Sequence, residues 1–188
     1  MTAQVGETLF YKNTLYTLAS EPLIQYLCTR DDVEFRCVNT SCWRGYYGTW
    51  KIIENKLYLI RLHANLVNEQ QVDLNYLFSG QDVVFANWFS GKIRAPFGGM
   101  LEYEHMGYSS VFEKELHLIF ENGVLVEEYE KNNVEEFIKK FEIEEQARLE
   151  SQSSFQKFLR KYLKIGAKPR KPSYYINSPC DDDLPILR

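Results

Sequence analysis

The sequence predicts an α+β fold: a mainly antiparallel β-sheet of about eight short strands, then one or two C-terminal helices and an extended tail. Three observations point there. Up to about residue 131, apolar residues alternate with polar ones in short runs separated by two-residue turn signals. At Asn132 the apolar spacing changes to that of a helix. The aromatic fraction is 15%, with 13 Tyr and 12 Phe, residue types that favour pleated sheets. The expected organisation is a β domain over 1–131, a helical segment packed on it over 132–166, and a Pro- and Lys-containing tail over 167–188. A curled sheet, a sandwich or a partly open barrel would all accommodate this strand pattern.

In chain order, Thr8-Leu9-Phe10-Tyr11 and Thr14-Leu15-Tyr16-Thr17-Leu18 flank Lys12-Asn13 and read as a hairpin. Ser20-Glu21-Pro22 ends it, and Pro22 to Leu27 suits one helical turn. Val33 to Val38 reads as a strand. The clearest hairpin joins Gly45–Ile53 to Lys56–Ala64 through Glu54-Asn55. A two-residue turn there pairs Trp50 with Leu59, Gly48 with Arg61 and Tyr46 with His63. Side chains alternate across a sheet, so one face collects Arg44, Tyr46, Trp50, Arg61 and His63. A one-residue slip would exchange the faces.

Asn65 to Gln71 reads as loop. Leu74 to Phe78 is a short apolar piece, helix or strand, with Asp73 as its cap. Asp82 to Arg94 is strand-like with a kink at Ser90-Gly91. Pro96-Phe97-Gly98-Gly99 reads as a turn and Met100 to His105 as the next strand. Val111 to Phe120 and Val124 to Glu130 form a hairpin through Glu121-Asn122-Gly123. Val134, Phe137, Ile138 and Phe141 stand at helical spacing, as do Phe155, Phe158, Leu159, Tyr162 and Leu163. The polar stretch between them leaves one helix or two open. Gly166 suits a C-cap.

Composition excludes several classes of function. No apolar run of the chain's 188 residues approaches the ~20 that a membrane span needs, and no basic and apolar leader opens it. A cytoplasmic protein without membrane contact is the expectation. Cys28, Cys37, Cys42 and Cys180 form no C-x-x-C pair, and His63, His105 and His117 are scattered, so neither a metal nor another cofactor is expected. Reduced thiols are expected, Cys37 and Cys42 being the pair that would bridge in an exported chain. There is no G-x-S-x-G elbow, P-loop or dinucleotide fingerprint. Charge is uneven: residues 1–150 hold 14 basic and 23 acidic side chains, residues 151–188 hold 8 and 3. Lys157, Arg160, Lys161, Lys164, Lys168, Arg170 and Lys171 form a run free of acids. That run suits an acidic partner or the protein's own acidic body; the acidic whole argues against nucleic acid.

Candidate sites follow from residue chemistry. Arg44, Tyr46, Trp50, Arg61 and His63 on one face suit a planar anionic ligand, the rings stacking and the guanidiniums binding phosphate or carboxylate. The competing reading puts Tyr46 and Trp50 in the core. Trp88, beside the Gly91 kink and with Arg94 nearby, suits a partner-facing aromatic platform; the competing reading is a bent core strand. Glu102 and Glu104, at i and i+2 on one strand, approach the spacing of a glycosidase pair, but any solvated strand gives that spacing. His105, in phase with Leu101 and Tyr103, reads as a core histidine, and Cys42 as a buried thiol. Two functional classes remain. The first is a non-catalytic macromolecule-binding protein with an acidic, aromatic-rich face, such as a small bacterial inhibitor or immunity-type protein, whose partner is a protein. The second is a domain or enzyme binding a nucleotide or other small anionic ligand through the arginine, aromatic and histidine cluster. A pocket holding both arginines would favour the second, an exposed aromatic patch the first.

Overall fold

The computed structural model describes residues 2–37 and 39–163. The strands are β1 (Glu7–Tyr11), β2 (Thr14–Leu18), β3 (Tyr46–Ile53), β4 (Lys56–Asn65), β5 (Gln71–Asp73), β6 (Val84–Phe85), β7 (Gly91–Glu102), β8 (Val111–Glu121) and β9 (Val124–Asn132). The helices are α1 (Ile24–Leu27), α2 (Leu74–Leu77) and α3 (Val134–Leu163). The fold is therefore α+β, with one nine-stranded sheet, mostly antiparallel, and one long helix after it.

Local turn chemistry sets the three hairpins. Lys12 and Asn13, Glu54 and Asn55, and Asn122 and Gly123 all take positive φ. That backbone matches the right-handed twist of the strands it joins. Leu74 to Leu77 resolves as a helix because the Asp73 carboxylate accepts the Asn75 N–H at 3.0 Å, satisfying one of the free donors at its start.

Strand order runs β2-β1-β3-β4-β9-β8-β7, with β5 and β6 paired to β4 off this path. β1 lies parallel to β3, pairing Leu9 with Trp50. The path curls until its two ends touch: the Ala19 N–H donates to the Arg94 carbonyl at 2.8 Å, and the Tyr16 ring meets Phe97 edge-on at 5.8 Å. Leu9, Leu18, Trp50, Leu57, Leu59, Ile93, Leu118 and Phe120 fill the inside of the curl, all buried.

Several expectations change. Among the described residues of Val33–Val38 there is no strand, only one bridge from Phe35 to Leu66. The Asp82–Arg94 run divides into β6 and β7 rather than bending as one strand. Pro96 to Gly99 is not a turn. β7 passes through it with register shifts between Phe97 and Met100 and between Met100 and Glu102, so the glycines bend the strand without reversing it. Gln71 belongs to β5, where it pairs with Asn65. The helical spacing after Asn132 forms one continuous helix of 30 residues. Cys28, Cys37 and Cys42 are free thiols. No helix among the described residues is long and apolar enough to cross a membrane.

The chain divides into two compact units, Met1–Glu142, which holds the sheet, and Ile143–Arg188. Val38, Gly166, the tail 167–188 and the basic residues Lys164, Lys168, Arg170 and Lys171 lie outside the described residues.

Candidate functional site

A buried polar cluster sits where β1 meets β3. Glu7 is in phase with Leu9 and Tyr11 on β1, so its carboxylate points inward, and it is 1% exposed. The Trp50 indole N–H donates to Glu7 Oε2 at 2.6 Å. The Arg44 side chain is fully enclosed as well, with Nε 3.9 Å from Glu7 Oε1 and Nη1 3.9 Å from Glu21 Oε1. Arg44 Nη1 donates to the Val5 carbonyl at 2.7 Å and to the Tyr108 hydroxyl at 2.8 Å. Tyr108 in turn donates to Glu21 Oε1 at 2.9 Å. The guanidinium lies over the ring of Tyr46 at 5.4 Å, and the Phe35 ring packs against Tyr46 at 5.7 Å. Burial pushes the Glu7 pKa up to about 7, although the Trp50 hydrogen bond and the Arg44 charge both pull it down. Burial also raises the Tyr46 and Tyr108 hydroxyls. Gly48 is what leaves room for this carboxylate: a Cβ there would stand 1.9 Å from Glu7 Oε2.

The five residues expected on one face are divided between two. From the turn up to Trp50, β3 and β4 keep the expected register, with Trp50 opposite Leu59. Above it the register shifts by one, and Thr49 pairs with Arg61, Tyr47 with His63. Ile60 is the extra residue of a β-bulge. Beyond it the inward positions of β4 pass to Leu62 and Ala64, both buried, and Arg61 and His63 turn outward. Arg44, Tyr46 and Trp50 share the interior with Glu7. Arg61 and His63 lie on the far side of the sheet, where His63 borders an open polar shelf with Gln71, Asp73 and Tyr76. The enclosed Arg44 and the outward Arg61 therefore do not face one shared site.

Trp88 is half-buried. It stacks on Phe78 at 5.4 Å and tilts against Tyr26 at 5.0 Å, and its indole N–H reaches the Pro22 carbonyl at 3.3 Å. Arg94 lies elsewhere: it donates to Glu115 Oε1 at 2.8 Å and to the Tyr108 carbonyl, while Glu115 Oε2 stands 3.1 Å from His117 Nε2. Tyr108 thus joins Arg44 to Arg94, a link that neither residue's sequence position suggests. Glu102 ends β7 and pairs with Lys140, and Glu104 lies in the loop beyond, so the two carboxylates do not share a strand. His105 is not a core residue: it is exposed, in hydrogen-bond contact with the Tyr103 hydroxyl at 2.9 Å. Cys42 is buried, with its Sγ 3.3 Å from the Tyr46 carbonyl.

Tyr108 also lines a cleft of about 290 Å³ formed by the N-terminal strap, β2, β7, the 103–110 loop and the start of β8. Its other walls include Leu18, Pro96, Met100, Tyr103 and Phe112. Met100 is 53% exposed and Tyr103 60%. Nearby in the chain's hydrogen bonding, Gln4 ties the strap to the backbones of Gly107 and Trp43, and Trp43 and Met106 are exposed too. Sequence reasoning missed Glu7, Glu21, Tyr108 and this rim. A signal existed for Glu7, a carboxylate in phase with the apolar face of the first strand. None existed for the cleft, whose walls come from five separate segments.

Compared with known proteins, the chain matches no family model, no curated protein and no solved structure.

Proposed function

We propose that this chain is a non-catalytic binding protein that holds a protein partner at the cleft beside Tyr108. The observation that carries the reading is the exposed aromatic and methionine rim, Met100 and Tyr103 above all, around an open and mostly apolar cleft. Exposed apolar side chains gathered at one place mark interaction surfaces in soluble proteins. Methionine adapts its shape to a partner's side chain, and tyrosine supplies contact area with a polar tip. The acidic composition of the first 150 residues favours a basic partner, in keeping with an inhibitor or immunity-type role. The small-anion reading loses its support because its two arginines occupy opposite sides of the sheet.

Panning a displayed peptide library on the folded protein tests the proposal. Selected peptides should carry an aromatic or large aliphatic anchor and lose binding to a Met100→Ser, Tyr103→Ser double variant. Peptides whose affinity is unchanged by that variant would place binding elsewhere and defeat the reading.

A further inference from the structure

We infer that β9 is an open strand edge built to accept an extended, lysine- or arginine-rich segment of a partner protein as an added strand. In the strand order β9 lies between β4 and β8, yet the two sides are not equivalent. Along β8 it pairs from Val124 to Asn132. Along β4 it pairs only at Val124, opposite Lys56, with one further bond from the Leu125 N–H to the Asn55 carbonyl. The reason is the direction of the pairing: with Val124 opposite Lys56, the first residue of β4, antiparallel β9 runs on from Val126 past the β3–β4 turn, beyond the reach of β4, whose later residues pair with β6 and β5. Among the described residues, the backbone of β9 from Val126 onward has no strand on that side.

An unpaired run of N–H and C=O groups is a template for another strand. Its sequence suits pairing, with Val126 and Tyr129 exposed and without proline or glycine. The charge selects the occupant. Glu127, Glu128 and Glu130 are exposed along the edge against the single Lys131. Tyr11 and Lys12 already hold Glu128 from the β1–β2 turn, which shows that a cation is accommodated there. A second copy of this chain is the poorer occupant, because antiparallel self-pairing would set glutamates against glutamates across the new ladder. This edge is separate from the cleft and does not depend on it.

The test is an NMR titration of the full chain with the heptapeptide Lys-Val-Lys-Val-Lys-Val-Lys, beside the same peptide methylated at every backbone nitrogen. The expected result is shifts confined to the amides of Val126 to Asn132 with the first peptide and none with the second. Glu127→Lys with Glu130→Lys should weaken binding by roughly tenfold, and added salt should weaken it further. Met100→Ser with Tyr103→Ser should leave it unchanged, which separates this inference from the cleft reading. Equal binding of the methylated peptide would reduce the contact to charge alone and overturn strand addition. So would shifts elsewhere on the sheet, no binding at all, or a dimer of the chain itself formed through β9.

Discussion

Replacing Glu7 with glutamine isolates the buried carboxylate with little change in shape, since the amide oxygen can still accept the Trp50 indole N–H. In the folded chain burial holds the Glu7 pKa at about 7, against 4.5 for a solvated glutamate. The folded state therefore binds a proton more tightly than the unfolded state. Stability contributed by this group is fully present below pH 4.5 and is lost as pH rises to about 7, the reverse of an ordinary ion-paired carboxylate. Each pKa unit corresponds to 1.36 kcal/mol, so the loss across that window is roughly 3 kcal/mol. Urea unfolding of wild type and Glu7→Gln between pH 4 and 8 measures it as a difference, which cancels the other carboxylates. Wild type should weaken relative to the variant by about that amount between pH 4.5 and 7, then run parallel to it. The Trp50 indole resonance should titrate with a midpoint near 7 in wild type and not in the variant. A flat difference curve with a static indole signal would refute the account, because it would mean that Arg44 keeps Glu7 ionised throughout.

Further outcomes follow from the same geometry. Gly48→Ala drives a methyl group against Glu7 Oε2, 1.9 Å away, and against Trp50 Nε1 at 3.0 Å. Both neighbours are buried, so the cost should be about 1–3 kcal/mol, seen as a lower Tm and a weakened near-ultraviolet signal. Arg61→Ala with His63→Ala, on the outward face above the bulge, should change unfolding free energy by less than about 1 kcal/mol in denaturant titration; a larger loss would contradict their outward placement. Deleting Ile60 removes the bulge yet keeps Leu62 and Ala64 inward and Arg61 and His63 outward. That variant should retain a single cooperative thermal transition, and a molten, non-cooperative profile would show that the bulge itself is needed.

The hairpins and the change to helix after Asn132 were legible in the sequence because their causes are local; that the helix runs unbroken to Leu163 was not. Lys12-Asn13, Glu54-Asn55 and Asn122-Gly123 adopt positive φ within the turn, whatever surrounds them. The Asp73 cap acts on Asn75 two residues away. The register of β3 on β4 was legible from the turn up to Trp50, as far as that turn dictates it. The site was less legible. Tyr46, Trp50 and Arg44 do share a face, but the residues completing their surroundings are Glu7, Glu21 and Tyr108, drawn from segments far apart in the chain.

By itself the sequence determined the alternation of strands, the turns, the change to helix after Asn132 and the acidic balance, each readable over a few neighbouring residues. Only the tertiary structure decided the parallel docking of β1 on β3, the bulge at Ile60 and the register that carries β9 past the start of β4 and leaves its edge open. These arise where two segments compete for the same backbone edge or the same interior space. The outcome of that competition depends on how the whole sheet curls, which no short window of residues records.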